Sequence, residues 1–335
     1  MTSADRQPEP LDFRRAIICA LPREFDAIQA LFDEHYYVPA QRHHGDPNFY
    51  PKGRIGSEYL VLTCLAEMGK GSAASAASTL RVSFPRINLA LVVGICGGVP
   101  FPTEDTELIM GDVIISHHVV DFGRQYPDWF EQKGSTRRGK EWFQDMHVKY
   151  LRQLEEWCYP AVEHDRLFPS STRHTDISGA SNSCDRAGCQ GKLVQRARLD
   201  TQNTPRPRVH NGRIASGDTV MKSAEHRDQM ARTFGIVGFE MEGAGVCNSL
   251  SCLIIKGACD YADSHKNKIW QDYAAASAAA CAKGLLECLS ELKAECTVNP
   301  SAHNLTQRAE DLWPLTCALR SGHVCQYSGP VYDRW

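Results

Sequence analysis

The sequence predicts an α/β fold, with helices packed around a central sheet. Three observations carry this expectation. Its apolar runs are short and mostly continuous, as in strands buried on both faces. Segments of helical character lie between several of them. One such segment, Ile269–Leu292, is long and alanine-rich, the composition of a strong helix. The expected strands are Ala16–Leu21, Tyr59–Leu65, Leu89–Val93, Asp112–Ser116, Ile236–Glu240 and Cys252–Gly257. The other expected helices start with Pro22–His35, whose leading proline suits a first turn. Gly71–Val82 follows, rich in Ala and Ser and able to pack closely on a sheet, then Ala224–Thr233 and Gly243–Leu250.

The segment Tyr126–Asn211 breaks this alternation. It is polar and reads as a long inserted loop carrying one helix at about Trp142–Trp157. Loops of that length inside a compact domain are usually functional or partly disordered. The pattern weakens again after about Glu295. The expected organisation is therefore one domain over 13–295, interrupted at about 126–211, and an extension over 296–335. No internal repeat is visible.

Bulk composition narrows the classes. Of 335 residues, 42% are hydrophobic and 23% charged, a balance that supports a full core. A net charge of −3 gives no reason to expect a nucleic-acid partner. No run reaches the ~18–20 apolar residues of a membrane span, and Met1–Pro10 lacks the apolar stretch of a secretory signal. A cytoplasmic protein without membrane contact is expected. Of the fourteen cysteines, Cys19, Cys64, Cys96 and Cys252 sit in or beside apolar runs, as small hydrophobes do. Mostly free thiols are expected. Cys184 and Cys189 lie in the polar loop with no second Cys or His pair at zinc spacing, so no metal site is expected.

Five motifs carry candidate chemistry. Ala16–Glu24 ends in a carboxylate at the start of the first helix, where α/β sheets bind ligands; helix dipoles favour the same residue type. Met68-Gly-Lys-Gly71 and Val93-Gly-Ile-Cys-Gly-Gly98 are glycine turns that admit close approach to the main chain. The second lacks the G-x-G-x-x-G spacing of a dinucleotide fold and the Gly-Lys-Ser/Thr of a P-loop. Gly238-Phe-Glu-Met-Glu-Gly-Ala244 ends an apolar strand with Glu240 and Glu242, which are costly to bury unless they bind something. They fit a grip on sugar hydroxyls or, more plainly, an exposed strand end. Lys256-Gly-Ala-Cys-Asp-Tyr-Ala-Asp263 offers Asp260 as a general acid and Asp263 as a helix cap.

In this order the motifs resemble the nucleoside phosphorylase/nucleosidase superfamily, which includes methylthioadenosine/S-adenosylhomocysteine nucleosidases. The nearest likeness is to fungal nucleosidase-like domains of the kind fused to NACHT or ankyrin regions. The resemblance covers about Phe13–Leu292 without the long loop, and rests on VGICGG, GDVIIS, IASGD, EMEGA and CDYAD. It implies a mixed, barrel-like central sheet flanked by helices. It also implies that Glu242 holds the ribose hydroxyls, Met241 lies against the sugar, and Asp260 protonates N7 of a purine. Val220 and Met221 take the base-contacting positions, where nucleosidases often carry an aromatic residue. Cys259 replaces a usual serine. Gly97 lies in the glycine motif that borders the site.

The resemblance also bears on the nucleophile. Hexameric phosphorylases keep an arginine where this chain has Glu24, and arginine and serine where it has Val92 and Ile95. A phosphate dianion needs cations and hydroxyls. A carboxylate and two hydrocarbon side chains suit water instead, with Glu24 as its base. Arg23 and Arg124 are the cations left unassigned. The expected activity is cleavage of adenosine or a related purine nucleoside to free base and ribose. No cofactor or metal is expected, the partner is a small purine nucleoside, and a homo-oligomer, a dimer, is anticipated. Three alternatives stand: a phosphate-dependent phosphorylase, a glycosidase acting on ATP or another nucleotide, and a silent nucleoside-sensing module.

Overall fold

The computed structural model describes residues 8–37, 45–116, 118–122, 150, 157–173, 189, 192–200 and 206–298, with side chains described to residue 291. Most of the expected insertion, including all but two residues of the helix expected at Trp142–Trp157 and Cys184, lies outside them, as does Arg124.

An α/β architecture with one mixed sheet is observed. Its strands are β1 (Arg15–Cys19), β2 (Glu34–Tyr36), β3 (Lys52–Ile55), β4 (Glu58–Cys64), β5 (Leu89–Gly98), β6 (Val113–Ser116), β7 (Val119–Asp121), β8 (Val209–Asn211), β9 (Arg213–Ser216), β10 (Ile236–Glu240) and β11 (Cys252–Asp260). Its helices are α1 (Pro22–Gln29), α2 (Lys70–Ser83), α3 (Ala197–Asp200), α4 (Ala224–Phe234), α5 (Gly243–Cys247) and α6 (Gln271–Val298). The main path runs β2-β3-β4-β1-β5-β10-β9-β7, and β11, β6 and β8 branch from β5. All six expected strands form. β2, β3, β7, β8 and β9 were not anticipated, because each has only three or four residues, too few for a periodic signal. The expected helix Pro22–His35 stops at Gln29, and its last residues pair in β2 with β3.

Alternate residues of β1 face opposite cores. Ala16 and Ile18 pack on one side with α2 residues Ala73, Ala77 and Leu80. Ile17 and Cys19 pack on the other with Ala27 and Ile28 of α1 and the alanines of α6. Both faces are dry, which is why the strand runs read as continuous rather than alternating. α6 lies so close to β11 that a Cβ on Gly257 would stand 2.0 Å from the Ala274 carbonyl oxygen. The alanine bias of that helix thus reflects close packing as well as propensity.

Two expectations need correction. Cys252 is not a free thiol: it is joined to Cys247, with the Cα atoms 5.6 Å apart. The short turn from α5 into β11 brings these side chains together, and an apolar run says nothing about a partner five residues earlier. The glycine motif at 94–98 is not a turn. β5 continues through Gly98, pairing with β11 along its length and with β10 at Gly97 and Gly98.

Asp112 anchors the start of β6. Its fully buried carboxylate is 2.8 Å from His210 Nε2, is forked by the Arg198 guanidinium and accepts from Arg208 N at 2.7 Å. Burial pushes its pKa up, but His210 and Arg198 outweigh that and hold it below the usual value. A depressed folded pKa stabilises the fold above the ordinary aspartate value of ~3.9, and this contribution disappears as pH falls through the lower folded value. Asp112→Asn is expected to cost roughly 3–5 kcal/mol at pH 7. Urea titrations should show the gap between variant and parent closing as the pH drops below about 4.

Candidate active site

β5 changes neighbours partway along its length. Its first residues, Leu89–Val92, pair in parallel with β1. At Gly97 and Gly98 its partner is the antiparallel β10. Between these pairings one edge of β5 is open, and that interruption is where α/β sheets place crevices. Glu24 fills part of it. Its Oε1 accepts from Ile95 N at 2.8 Å, while Oε2 accepts from Ala20 N at 2.8 Å and Leu21 N at 2.9 Å. The carboxylate thus caps its own helix and satisfies a strand N–H at the open edge. The dipole and ligand readings of this residue are compatible, since one side chain serves both positions.

Gly94 makes this arrangement possible. A Cβ there would stand 2.3 Å from Glu24 Oε1. A Cβ on Gly97 would meet Asp260 Oδ1 at 2.8 Å and the Ala262 Cβ at 2.9 Å. The glycines of β5 therefore make room for the protein's own acidic side chains.

Glu24, Gly97, Val220, Met221, Glu240, Met241, Glu242 and Asp260 all line one cavity of about 210 Å³. A larger cavity of about 310 Å³ lies among Pro100, Phe101, Phe168 and Arg227, but none of these eight residues borders it. The Arg227 guanidinium there is engaged by Asp228 and the Tyr261 carbonyl.

Lys256, on β11, was noted in its motif but given no role. Its ammonium is almost wholly buried, 2.9 Å from Glu242 Oε2 and 3.6 Å from Glu240 Oε2, and it also acts electrostatically on Glu24. Three carboxylates from three segments thus share one cation. Burial pushes the pKa of Glu24 up, with Lys256 opposing. Burial raises Glu240 in the same way, again against Lys256. Burial alone would lower the Lys256 pKa, but Glu242, Glu240 and Glu24 raise it instead. The roles of the two strand-end glutamates differ. Glu240 accepts from the backbone N–H of Glu242 and Gly243, so it closes the first turn of α5. Glu242 has Lys256 on one oxygen and lies at the cavity wall.

At the other end, Asp260 is the last residue of β11. Its Oδ1 accepts from Ala262 N at 2.8 Å and from Lys266 Nζ at 2.7 Å. Lys266 also escaped the sequence reading, because it lies three residues past the last motif and only the chain's turn returns it to the cavity. Asp263 does not cap a helix. Its Oδ1 accepts from His265 N, two residues on, and Asn267 caps the short 3₁₀ turn at Lys268–Trp270. Of the two residues expected to contact a base, Met221 is buried with Val99, Phe239 and Ala262, whereas Val220 is 42% exposed. Val92 is a core residue and Ile95 borders the cavity. Arg23, one of the unassigned cations, pairs with Asp272.

The match to the Phosphorylase superfamily model spans residues 14–290. Over 330 residues the chain is 33% identical to a nucleotide-binding leucine-rich repeat (NLR)-like protein of Hyaloscypha variabilis; this covers 90% of the chain but only 31% of that protein's length. It is 24% identical to the 5′-methylthioadenosine/S-adenosylhomocysteine nucleosidase of Mycobacterium bovis, over 83% of this chain and 97% of that one. The fold is similar to that of futalosine hydrolase from Helicobacter pylori, with a TM-score of 0.50 at 16% identity, covering 83% of this chain and 99% of that one.

Lys256→Met tests the electrostatic core of the cavity. Without the ammonium, the neighbouring carboxylates ionise less readily in the folded state than in the unfolded one, and such groups destabilise the fold as pH rises above their unfolded values of ~4.3. The variant is expected to lose roughly 3–5 kcal/mol near neutral pH. Its deficit in urea should be smaller at pH 5 than at pH 8; an equal deficit at both would remove the charge argument.

Proposed function

The chain belongs to the phosphorylase superfamily, and we propose that it is a purine nucleosidase, splitting a purine nucleoside with water into free base and ribose. The observation that carries this reading is the Glu24–Glu240–Glu242 cluster around Lys256. A phosphate nucleophile arrives as a dianion and needs cations and hydroxyls. The described lining offers buried carboxylates and apolar side chains there. Lys256, the cation of the cluster, is engaged by Glu242, Arg23 pairs with Asp272, and Lys266 lies with Asp260 at the other end of the cavity.

The chemistry follows from the positions. Departure of the base leaves positive charge on the ribosyl carbon, as in other glycoside cleavages. Asp260 gives a proton to N7, turning the purine into a better leaving group. Glu242 accepts from the ribose 2′- and 3′-hydroxyls and offsets the developing charge. Met241 lies against the sugar, and Val220 and Met221 flank the base. Glu24 orients and deprotonates the water. Its burial moves its proton affinity toward neutral pH, where a general base works best. Because the base form is needed, activity rises as pH increases through that raised value.

That this domain is of the kind joined to NACHT or ankyrin regions is part of the proposal; the NLR-like relative is matched over only 31% of its length. Among the described residues no helix is long and apolar enough to cross a membrane.

Product analysis decides the nucleophile. In phosphate-free buffer, free ribose and free purine should accumulate in equal amounts; strict dependence on phosphate, with ribose 1-phosphate as product, would sink the reading. The acid is tested separately. Asp260→Asn is expected to lose about 10²–10⁴-fold in kcat on purine nucleosides, and much less on a nitrophenyl riboside, whose leaving group needs no proton. Asp263→Asn, which loosens only a turn, should retain most turnover. The reverse outcome would show that the acid is the other member of the pair.

A further inference from the structure

We infer that Lys266 selects 6-oxopurines, so that the site takes inosine or guanosine in preference to adenosine; this rests on the nucleosidase reading above. A purine presents N7 and its 6-substituent on one edge. Adenine shows an acceptor and an amino donor there, and guanine and hypoxanthine show two acceptors. A lone aspartic acid suits adenine, because the oxygen carrying the proton donates to N7 and the other accepts from the 6-amino group.

Asp260 is not a lone carboxylate. A carboxylate oxygen has two lone-pair directions, and both on Oδ1 are engaged, by Ala262 N at 2.8 Å and Lys266 Nζ at 2.7 Å. Oδ2 has only the weak donor Cys259 Sγ, 3.7 Å away, and is the oxygen left for N7. A 6-amino group beside Oδ1 would therefore set donor against donor. A 6-oxo group would instead accept from the Lys266 ammonium, which carries three N–H bonds and spends one on Asp260.

The lysine is held in place by its own loop. Ala262 has φ +51°, a strained value for a residue with a side chain, and this turns its N–H onto Asp260. Asp263 accepts from His265 N, and the His265 ring stacks on Phe168 at 4.1 Å between centroids. Asn267 closes the following turn through Ile269 N. Lys266 sits between these two fixed points and lines the cavity. Such preorganisation lets one hydrogen bond discriminate, because the mismatched ligand leaves polar groups of the site unpaired.

Calorimetry with the free bases tests this without requiring turnover. The full chain should bind hypoxanthine about 10- to 100-fold more tightly than adenine, the range of one hydrogen bond to a charged group. Lys266→Met should bring that ratio to one or below, and Lys266→Arg should restore most of it. Equal or tighter binding of adenine by the parent, a ratio unmoved by Lys266→Met, or no binding of either base would overturn the inference. Ribose release from inosine and adenosine is measured alongside. Selective hypoxanthine binding without ribose release would overturn the nucleosidase reading and leave the base selection standing.

Discussion

The Lys256 ammonium is the charge around which the cavity is built. Isolated burial of a carboxylate costs several kcal/mol, and a cation placed among several such groups offsets that cost only with good geometry. Here one ammonium contacts Glu242 and Glu240 and acts on Glu24, residues drawn from the α1 start, the end of β10 and the start of α5. The three segments meet because β11, which carries the lysine, runs beside β5 at the centre of the sheet. Glu242 and Glu24 can then stay buried and polar at the cavity wall, where a low-dielectric surround strengthens electrostatic effects.

Sheet topology supplies the space. β5 exchanges its parallel neighbour β1 for the antiparallel β10, and the chain must leave backbone groups unpaired where one pairing ends before the other begins. The Glu24 carboxylate takes the Ile95 N–H at this point. It reaches that N–H only because residue 94 has no side chain. A single carboxylate therefore caps a helix, repairs a sheet edge and faces the cavity, which explains how an acidic residue is tolerated at 2% exposure.

The Asp260 end of the cavity follows a different design. Asp260 closes β11, and the strained turn at Ala262 folds the next residues back over it. Two donors converge on Oδ1, whereas Oδ2 has only the weak donor Cys259 Sγ. The asymmetry of that carboxylate carries the chemical information at this end, because its oxygens now differ in what they accept.

Much of this was legible in the sequence. Continuous apolar runs announced strands buried on both faces, and the alternation with helices announced the α/β class. Glu24, Glu242 and Asp260 stood out because acidic residues follow apolar strands, and all three border one cavity. Those signals are local, since they depend on period and on neighbours within a few residues. The partners of these groups were not legible. Lys256 looked like one polar residue in an apolar strand, Lys266 like a loop residue and Glu240 like a twin of Glu242. The glycines read as openings for a ligand, whereas Gly94 and Gly97 lie against Glu24 and Asp260. Cys247 and Cys252 pair across a turn whose path neither residue reveals. By itself the sequence determined the fold class and picked out acidic residues that line one cavity, because periodicity and strand-end position are written along the chain. Tertiary structure alone decided which cation meets which carboxylate, because an ion pair between distant segments depends on sheet register and helix placement, and no local pattern encodes either.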